Sequence, residues 1–175
     1  MNASNGSRPV VNIVGEHVAL GPMRHDLIET YHRWFNDFRM LRTTGASAQP
    51  QTVETVEAQY ASLATPEQDP HGVSFTIYCS SDWAPIGSTR LVDVDFHHAT
   101  AEFVIFIGEP LERGKGYGTE ATRLMLNYAF TALGLRNVLL KVYEFNLAGH
   151  HAYGKARFRE FGGRHRCPFM GGPFW

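Results

Sequence analysis

This sequence has few cysteines, almost no net charge and no long apolar run. Two cysteines stand among 175 residues, and 16 basic against 17 acidic side chains leave a formal charge of −1. Two cysteines provide no disulfide framework, so we expect a reduced, cytoplasmic protein. The near-neutral charge gives no indication of a nucleic-acid surface. No stretch approaches the roughly 20 apolar residues that span a bilayer, so we expect no membrane partner.

The N-terminus also lacks the apolar core of a secretion signal. Its first residues, MNASNGSRP, are polar, and we expect residues 1–9 to form a mobile tail. The remaining residues, 10–175, have the length of a single domain that buries most of its apolar surface without disulfides. The paired histidines His97–His98 and His150–His151 have no further ligands at suitable spacing, so we expect no metal site.

The most informative segment is residues 100–133, TAEFVIFIGEPLERGKGYGTEATRLMLNYAFTAL. Its apolar first part predicts a strand that ends near Gly108. From about Gly116, apolar residues at helical spacing predict a helix with one buried face. Between the two, glycines leave backbone N–H groups unshielded, and about four N–H groups at any helix start lack an internal partner. With the helix dipole, these groups predict a phosphate site.

Two cations flank this glycine-rich bend. Arg113 and Lys115 add positive charge, and the whole predicted site comprises Arg113, Gly114, Lys115, Gly116, Tyr117, Gly118 and Thr119. The bend lacks the spacing of a P-loop, which argues against nucleotide triphosphate hydrolysis. It fits Gly-x-Gly-x-x-Ala, but it lies two-thirds along the chain and no acid follows about 20 residues on, which disfavours a dinucleotide fold. A plain turn that joins strand to helix is the structural alternative.

Arg113-x-x-Gly116-x-Gly118 resembles the Q/R-x-x-G-x-G/A motif with which the GNAT acetyltransferases bind the pyrophosphate of acetyl-CoA. The resemblance spans roughly residues 16–175. It is closest to the branch that contains ribosomal-protein N-terminal acetyltransferases and spermidine acetyltransferases. It implies acetyl-CoA as the cofactor and an α/β (α+β) GNAT fold, in which helices flank a mixed central sheet.

A second motif follows in the right order. Asn146 stands seven residues before Tyr153, and Tyr153, Lys155 and Phe158 resemble the family pattern Asn … Tyr-x-Lys-x-Gly-Phe. Arg157 departs from this pattern, because the family usually has glycine there. Related chains also carry one more strand after the turn equivalent to MGGPFW. We therefore expect the last strand to be missing or to be supplied otherwise. Its loss would leave an unpaired edge that favours a homodimer.

Apolar periodicity and turn residues predict the other elements. Short turns between neighbouring strand patterns indicate an antiparallel meander rather than βαβ units. The predicted order is a strand over Val10–Met23, a helix N-capped by Asp26, a loop over Met40–Pro50, a helix over Thr52–Leu63, strands over Val73–Cys79, Pro85–Asp95 and Thr100–Ile107, the helix from Gly116, a strand over Val138–Tyr143 and a helix from Asn146.

The resemblance implies transfer of an acetyl group to an amine in a ternary complex. Backbone groups of Phe106 and Ile107 would pair with the pantetheine arm, and Asn146 would bind it from the other side or cap its helix. Lys155 lies near the phosphates or in solvent. Tyr153 is the expected general acid, since a phenol is protonated at neutral pH. An ordinary core tyrosine is its alternative.

The general base depends on the acceptor. Neutralising a lysine-like amine at pH 7 costs about 4.6 kcal/mol, against about 1.4 kcal/mol for an α-amine. Glu102 is the candidate base, with a surface or ion-paired glutamate as its alternative; Asp93, Asp95 and Glu144 are weaker candidates. The acceptor stays open between a protein N-terminus, a polyamine and a small-molecule or antibiotic amine. A catalytically silent acyl-CoA sensor is the rival function.

Overall fold

The computed structural model describes residues 8–44, 49–63 and 67–163. Within these ranges, six strands form one sheet in chain order: Ile13–Val14 (β1), Val18–Pro22 (β2), Val73–Cys79 (β3), Pro85–Asp95 (β4), Thr100–Ile107 (β5) and Asn137–Leu139 (β6). Five α-helices accompany them: Ile28–Phe35 (α1), Phe38–Thr44 (α2), Val53–Leu63 (α3), Tyr117–Thr131 (α4) and Leu147–Lys155 (α5). Most of the predicted N-terminal tail, and the C-terminal segment after which a last strand is predicted to be missing, lie outside the described residues.

The sheet is mixed, as predicted. Strands β1 to β5 pair antiparallel with their chain neighbours, and β5 pairs with β6 in parallel. This parallel pairing covers three positions, from Thr100 opposite Asn137 to Glu102 opposite Leu139. Beyond Glu102, the edge of β5 on that side has no strand partner among the described residues.

Two predictions for the N-terminal third are wrong. The apolar pattern over Val10–Met23 forms a hairpin of β1 and β2 rather than one strand, because the chain turns at Gly15, whose N–H donates to the carbonyl of Val18 at 2.8 Å. Asp26 does not cap α1; its carboxylate accepts from Arg24 Nε at 2.9 Å, and the helix begins two residues later.

Two further boundaries differ from the prediction. The first half of the predicted loop Met40–Pro50 belongs to α2, which starts after Asp37; the Asp37 side chain accepts from the N–H of Arg39 at 3.1 Å and its carbonyl from that of Leu41 at 3.0 Å. The strand predicted over Val138–Tyr143 is confined to Asn137–Leu139. The chain therefore leaves β5 early, which keeps the edge of β5 open.

The sheet separates two apolar clusters, and alternate side chains of β5 contribute to each. On one face, Phe103, Ile105 and Ile107 pack with the buried side of α4, in a cluster that includes Leu20, Ile77, Leu91 and Met125. On the other face, Phe106 packs against Tyr31, Trp34, Met40 and Val56 of α1, α2 and α3. None of the described helices is long and apolar enough to cross a membrane.

Candidate functional site

The glycine-rich bend before α4 exposes a row of backbone amides. Gly114 and Gly116 have φ angles of +79° and +92°, in the left-handed region that favours glycine, and a Cβ on either would meet no atom within 4 Å. No amide N–H from Gly114 to Thr119 donates to another described residue. These free donors at the start of a 15-residue helix fit a diphosphate, as the sequence predicts.

The partly exposed side chain of Arg113 makes hydrogen bonds to other parts of the chain. Its Nε donates to the carbonyl oxygen of Ile107 at 2.9 Å, and its Nη2 donates to that of Gly108 at 3.0 Å. The same Nη2 lies 3.3 Å from the carboxylate of Asp37, between α1 and α2. The guanidinium thus ties the end of β5 to the bend. Its backbone stays beside the free amides, and its predicted cofactor contact remains a prediction.

Lys115 has a local partner. Its Nζ lies 2.9 Å from Oε2 of Glu112, and this hydrogen bond raises the pKa of Lys115 above its ordinary value. Both groups are partly exposed, so the pair is weak and an incoming phosphate would compete with the carboxylate. The ammonium therefore stays available next to the amides.

Two side chains of the first helical turn hold α4 against the sheet. Oε1 of Glu120 accepts from the N–H of His17 at 2.9 Å, at the β1–β2 turn. The phenol of Tyr117 lies 3.7 Å from the buried thiol of Cys79 in β3, and this contact raises the pKa of Tyr117. Sequence reasoning missed the role of Glu120, because nothing local marks a carboxylate whose partner lies 103 residues away.

The open edge of β5 offers backbone groups beside the bend. The N–H of Gly108 donates to Ile86 of β4, and Phe106 stands opposite Ser88. Because successive strand residues direct their backbone groups to opposite edges, Ile107 presents its N–H to the open edge, whereas Phe106 faces β4. The geometry favours Ile107 over Phe106 for backbone pairing with a pantetheine arm. The Phe106 side chain instead packs on the rings of Trp34 and Phe35.

Tyr153 lies on the same face of the sheet as the free amides. Its ring makes edge-to-face contacts with Phe103 of β5 and with Phe158, at centroid distances of 6.4 and 6.0 Å. Tyr117 and Ile107 belong to the same apolar cluster. Burial raises the pKa of the Tyr153 phenol above its ordinary value, so it is protonated at neutral pH. Its hydroxyl makes no hydrogen bond to a described residue.

Asn146 is engaged at the start of α5. Its Oδ1 accepts from the N–H of Gly149 at 2.9 Å, which is the expected cap, and its Nδ2 donates to the carbonyl of Thr43 at 3.3 Å. This second bond connects α5 with the end of α2. At the other end of α5, the carbonyl of Lys155 accepts from Arg123 at 2.8 Å, while its side chain is exposed. Contacts of both residues with a cofactor remain predictions.

Glu102 is paired. Its Oε2 lies 2.6 Å from Nζ of Lys141, just beyond β6. Glu102 precedes Phe103, so the carboxylate lies on the opposite face of β5 from the Tyr153 ring. The ion-paired alternative is thus present in the structure, and a role as general base remains a prediction. Among the described residues, no group of three potential metal ligands is assembled.

Comparison with known proteins identifies relatives. Residues 17–159 match the family model described as Acetyltransferase (GNAT) domain. The chain is 28% identical to human alpha/beta-tubulin-N-acetyltransferase 9 over 85% of this chain and 75% of that protein. Its identity to the Drosophila melanogaster protein of that name is 30%, over 85% and 78%. Against Escherichia coli K12 spermidine N(1)-acetyltransferase it is 37% identical, over 48% of this chain and 44% of that protein.

A solved structure shows the same fold. The spermidine N-acetyltransferase from Vibrio cholerae in complex with CoA and spermine superposes with a TM-score of 0.80 at 23% identity, over 89% of each chain. The GNAT fold expected from the two motifs is therefore confirmed.

Proposed function

The chain belongs to the GNAT acetyltransferase family and is an acyltransferase that uses acetyl-CoA, and we propose that it acetylates a free α-amine by direct attack, with Tyr153 as general acid. One observation carries this proposal. The free amides of residues 114–119 and the partly buried, protonated phenol of Tyr153 adjoin the same apolar cluster beside the open edge of β5.

Binding would use mainly backbone groups of this chain. The amides of residues 114–119 are suited to the diphosphate, with Lys115 adding charge after it exchanges its partner Glu112. The N–H of Ile107 is suited to an acceptor atom of the pantetheine arm, since it lies at the unpaired edge. Acetyl-CoA would supply the acetyl group as a thioester. Holding it in a fixed place beside the amine accounts for much of the rate enhancement in such a reaction.

Tyr153 would complete the transfer. The neutral amine nitrogen forms a bond to the acetyl carbon, the bond from that carbon to sulfur breaks, and Oη of Tyr153 gives its proton to the departing sulfur. The proton that the nitrogen loses passes to water, and water returns a proton to the Tyr153 phenolate. The hydroxyl is available because no described residue binds it. Cys79 is an unsuitable nucleophile for an acyl-enzyme, since it is buried under the phenol of Tyr117.

The surroundings of Glu102 favour an acceptor that loses its proton easily. The carboxylate is already bound by Lys141 at 2.6 Å, and it would have to release this ammonium before taking a proton from an amine. Such surroundings are unfavourable for a polycation. An α-amine costs only about 1.4 kcal/mol to neutralise at pH 7, so water suffices as the base.

Three acceptors test the proposal. Thiol release from acetyl-CoA would be measured with a peptide that has a free α-amine and no lysine, with an N-terminally blocked peptide that contains one lysine, and with spermidine. We expect kcat/KM to be highest for the first peptide by at least about tenfold. A higher kcat/KM for spermidine would contradict the proposed α-amine acceptor but not the proposed acetyl transfer. CoA binding without turnover of any acceptor would favour the sensor.

The proposal also includes a cytoplasmic location and a homodimer. A cytoplasmic location would give the enzyme a reducing environment and acetyl-CoA. Homodimerisation would be detected by sedimentation, and a monomer at micromolar concentration would exclude it.

A further inference from the structure

The end of α5 is closed by a specific turn that returns to Tyr153. The N–H of Arg157 donates to the carbonyl of Gly154 at 3.0 Å, and the N–H of Phe158 donates to that of Tyr153, also at 3.0 Å. Arg157 has a φ of +70°. This pair of bonds around a left-handed residue is a Schellman motif, in which the residue after the turn usually packs on the residue five positions earlier.

Here that apolar contact joins two rings. Phe158 meets Tyr153 edge to face at 6.0 Å and stacks on Phe103 of β5 at 6.1 Å with an interplanar angle of 26°. Tyr153 in turn contacts Phe103 at 6.4 Å. The three rings form a closed aromatic triangle on the open strand. Phe158 therefore holds Tyr153 by its backbone and by its ring together.

The turn persists although its central residue is unsuited to it. A left-handed conformation is unfavourable for an L side chain, and such conformations survive where surrounding contacts determine them. The described contacts with that effect are the two backbone bonds and the aromatic triangle. The turn thus requires a left-handed residue at position 157, and the backbone bond and ring contacts of Phe158 are among the contacts that oppose the strain of Arg157.

We infer that Phe158 is a positioning residue for the acid step, and that it fixes the Tyr153 phenol at the open edge of β5 through the turn at Arg157. The inference rests on the proposed role of Tyr153. Phe158 itself touches no reacting atom. Loosening its ring would leave the amides of residues 114–119 intact, so the affinity for acetyl-CoA would change little while the proton transfer slows.

A double-mutant cycle tests this coupling in the full chain. With acetyl-CoA and the peptide bearing a free α-amine, Phe158→Leu is expected to lower kcat about tenfold and to change the KM for acetyl-CoA by less than about twofold. In a Tyr153→Phe background the same change is expected to lower kcat less than about twofold, because the group that it positions is gone. Phe161→Leu, at an exposed ring three residues away, is the matched control and is expected to leave kcat unchanged.

A second variant keeps the inference testable if Phe158→Leu fails to fold. Arg157→Val places a β-branched residue at the left-handed position and is expected to lower kcat in the same Tyr153-dependent manner. Equal losses from Phe158→Leu with and without the Tyr153 hydroxyl, or a loss seen only in KM, would overturn the inference while the proposed function stands. Full activity of Tyr153→Phe, or no acetyl transfer by the unmodified chain, would overturn the proposed function and this inference together.

Discussion

Nε of Arg113 donates to the carbonyl oxygen of Ile107 at 2.9 Å, so the first residue of the glycine motif is bound to the last residue of β5. The same side chain reaches Gly108 and Asp37. It therefore sets the distance between the open strand edge and the free amides. An extended acyl-CoA is proposed to bind at these two places.

Replacing Arg113 by lysine is expected to weaken acetyl-CoA binding and to destabilise the fold. A lysine keeps the charge, but its donors all lie on one nitrogen and lack the planar fork with which the guanidinium reaches two carbonyls and a carboxylate. We expect the KM for acetyl-CoA to rise about tenfold and the free energy of unfolding to fall by about 1–2 kcal/mol. Steady-state kinetics and urea unfolding measure the two effects. Arg123→Lys, at an exposed arginine with one carbonyl partner, is the control; equal effects at both positions would contradict a special role for Arg113.

Alanine at Gly116 is expected to damage the amide site. The residue has a φ of +92° with open space around it, so the added methyl group acts through the backbone conformation. We expect a loss of about 1 kcal/mol in stability and about tenfold weaker CoA binding by calorimetry.

Gly134 provides the matched control for that change. It also has a left-handed φ, of +68°, and open space, but it follows the C-terminal end of α4. Gly134→Ala is expected to cost a similar amount of stability and to leave CoA affinity unchanged. Weaker CoA binding in both variants would indicate a general loss of folded protein.

Removing the Tyr153 hydroxyl is expected to lower kcat about 100-fold, within the range for a general acid. CoA affinity should be unchanged, because the amides remain. Tyr128→Phe, on α4 beside Phe75, is the control and is expected to have full activity. Identical kcat values for unmodified enzyme and Tyr153→Phe would refute the assignment.

Alkaline pH is expected to destabilise the protein. Burial is the largest cause that raises the pKa values of Tyr31, Tyr78 and Tyr153 above 10. The folded state thus binds these protons more tightly than the unfolded chain, so their contribution is complete below about pH 10 and is lost as the pH rises through the folded pKa values. Urea midpoints measured from pH 8 to 11 should fall above about pH 10. The fall should be smaller in Tyr153→Phe; equal slopes would show that its phenol is not protected.

Glycine at position 157 is expected to stabilise the fold. Arg157 has a φ of +70°, which costs an L side chain free energy that glycine does not pay. We expect Arg157→Gly to raise the free energy of unfolding by about 1 kcal/mol, measured by urea unfolding. Arg159→Gly, at a nearby exposed arginine outside the left-handed positions, should be neutral or slightly destabilising. A destabilised Arg157→Gly would mean that the arginine side chain makes a favourable contact of its own.

Local patterns were sufficient for much of the fold. The strands Val73–Cys79, Pro85–Asp95 and Thr100–Ile107 have the predicted bounds, and the amides at Gly114 and Gly116 are free as the glycines suggest. Alternation and helical spacing are properties of neighbouring residues, so they can be read directly. The hairpin of β1 and β2 was missed because its alternation continues across the turn.

Contacts between distant residues could not be read in this way. The prediction that Arg113 lies beside a phosphate remains a prediction, but no local pattern indicates that its guanidinium binds Asp37, 76 residues away. The sequence offers an ion-paired glutamate as an alternative for Glu102, but it does not identify the partner Lys141, which lies 39 residues along the chain. No local pattern specifies such pairs, because they depend on how the sheet brings elements together.

The sequence by itself determined the family, the three central strands and the free amides at the start of α4, since strand alternation and glycine conformation act within a few residues. Only the tertiary structure decided that β6 leaves β5 after three pairs, that Arg113 braces the exposed edge and that Phe158 packs on Tyr153. Each of these depends on how segments remote in the chain pack together, and the free energy that stabilises these contacts comes from that packing.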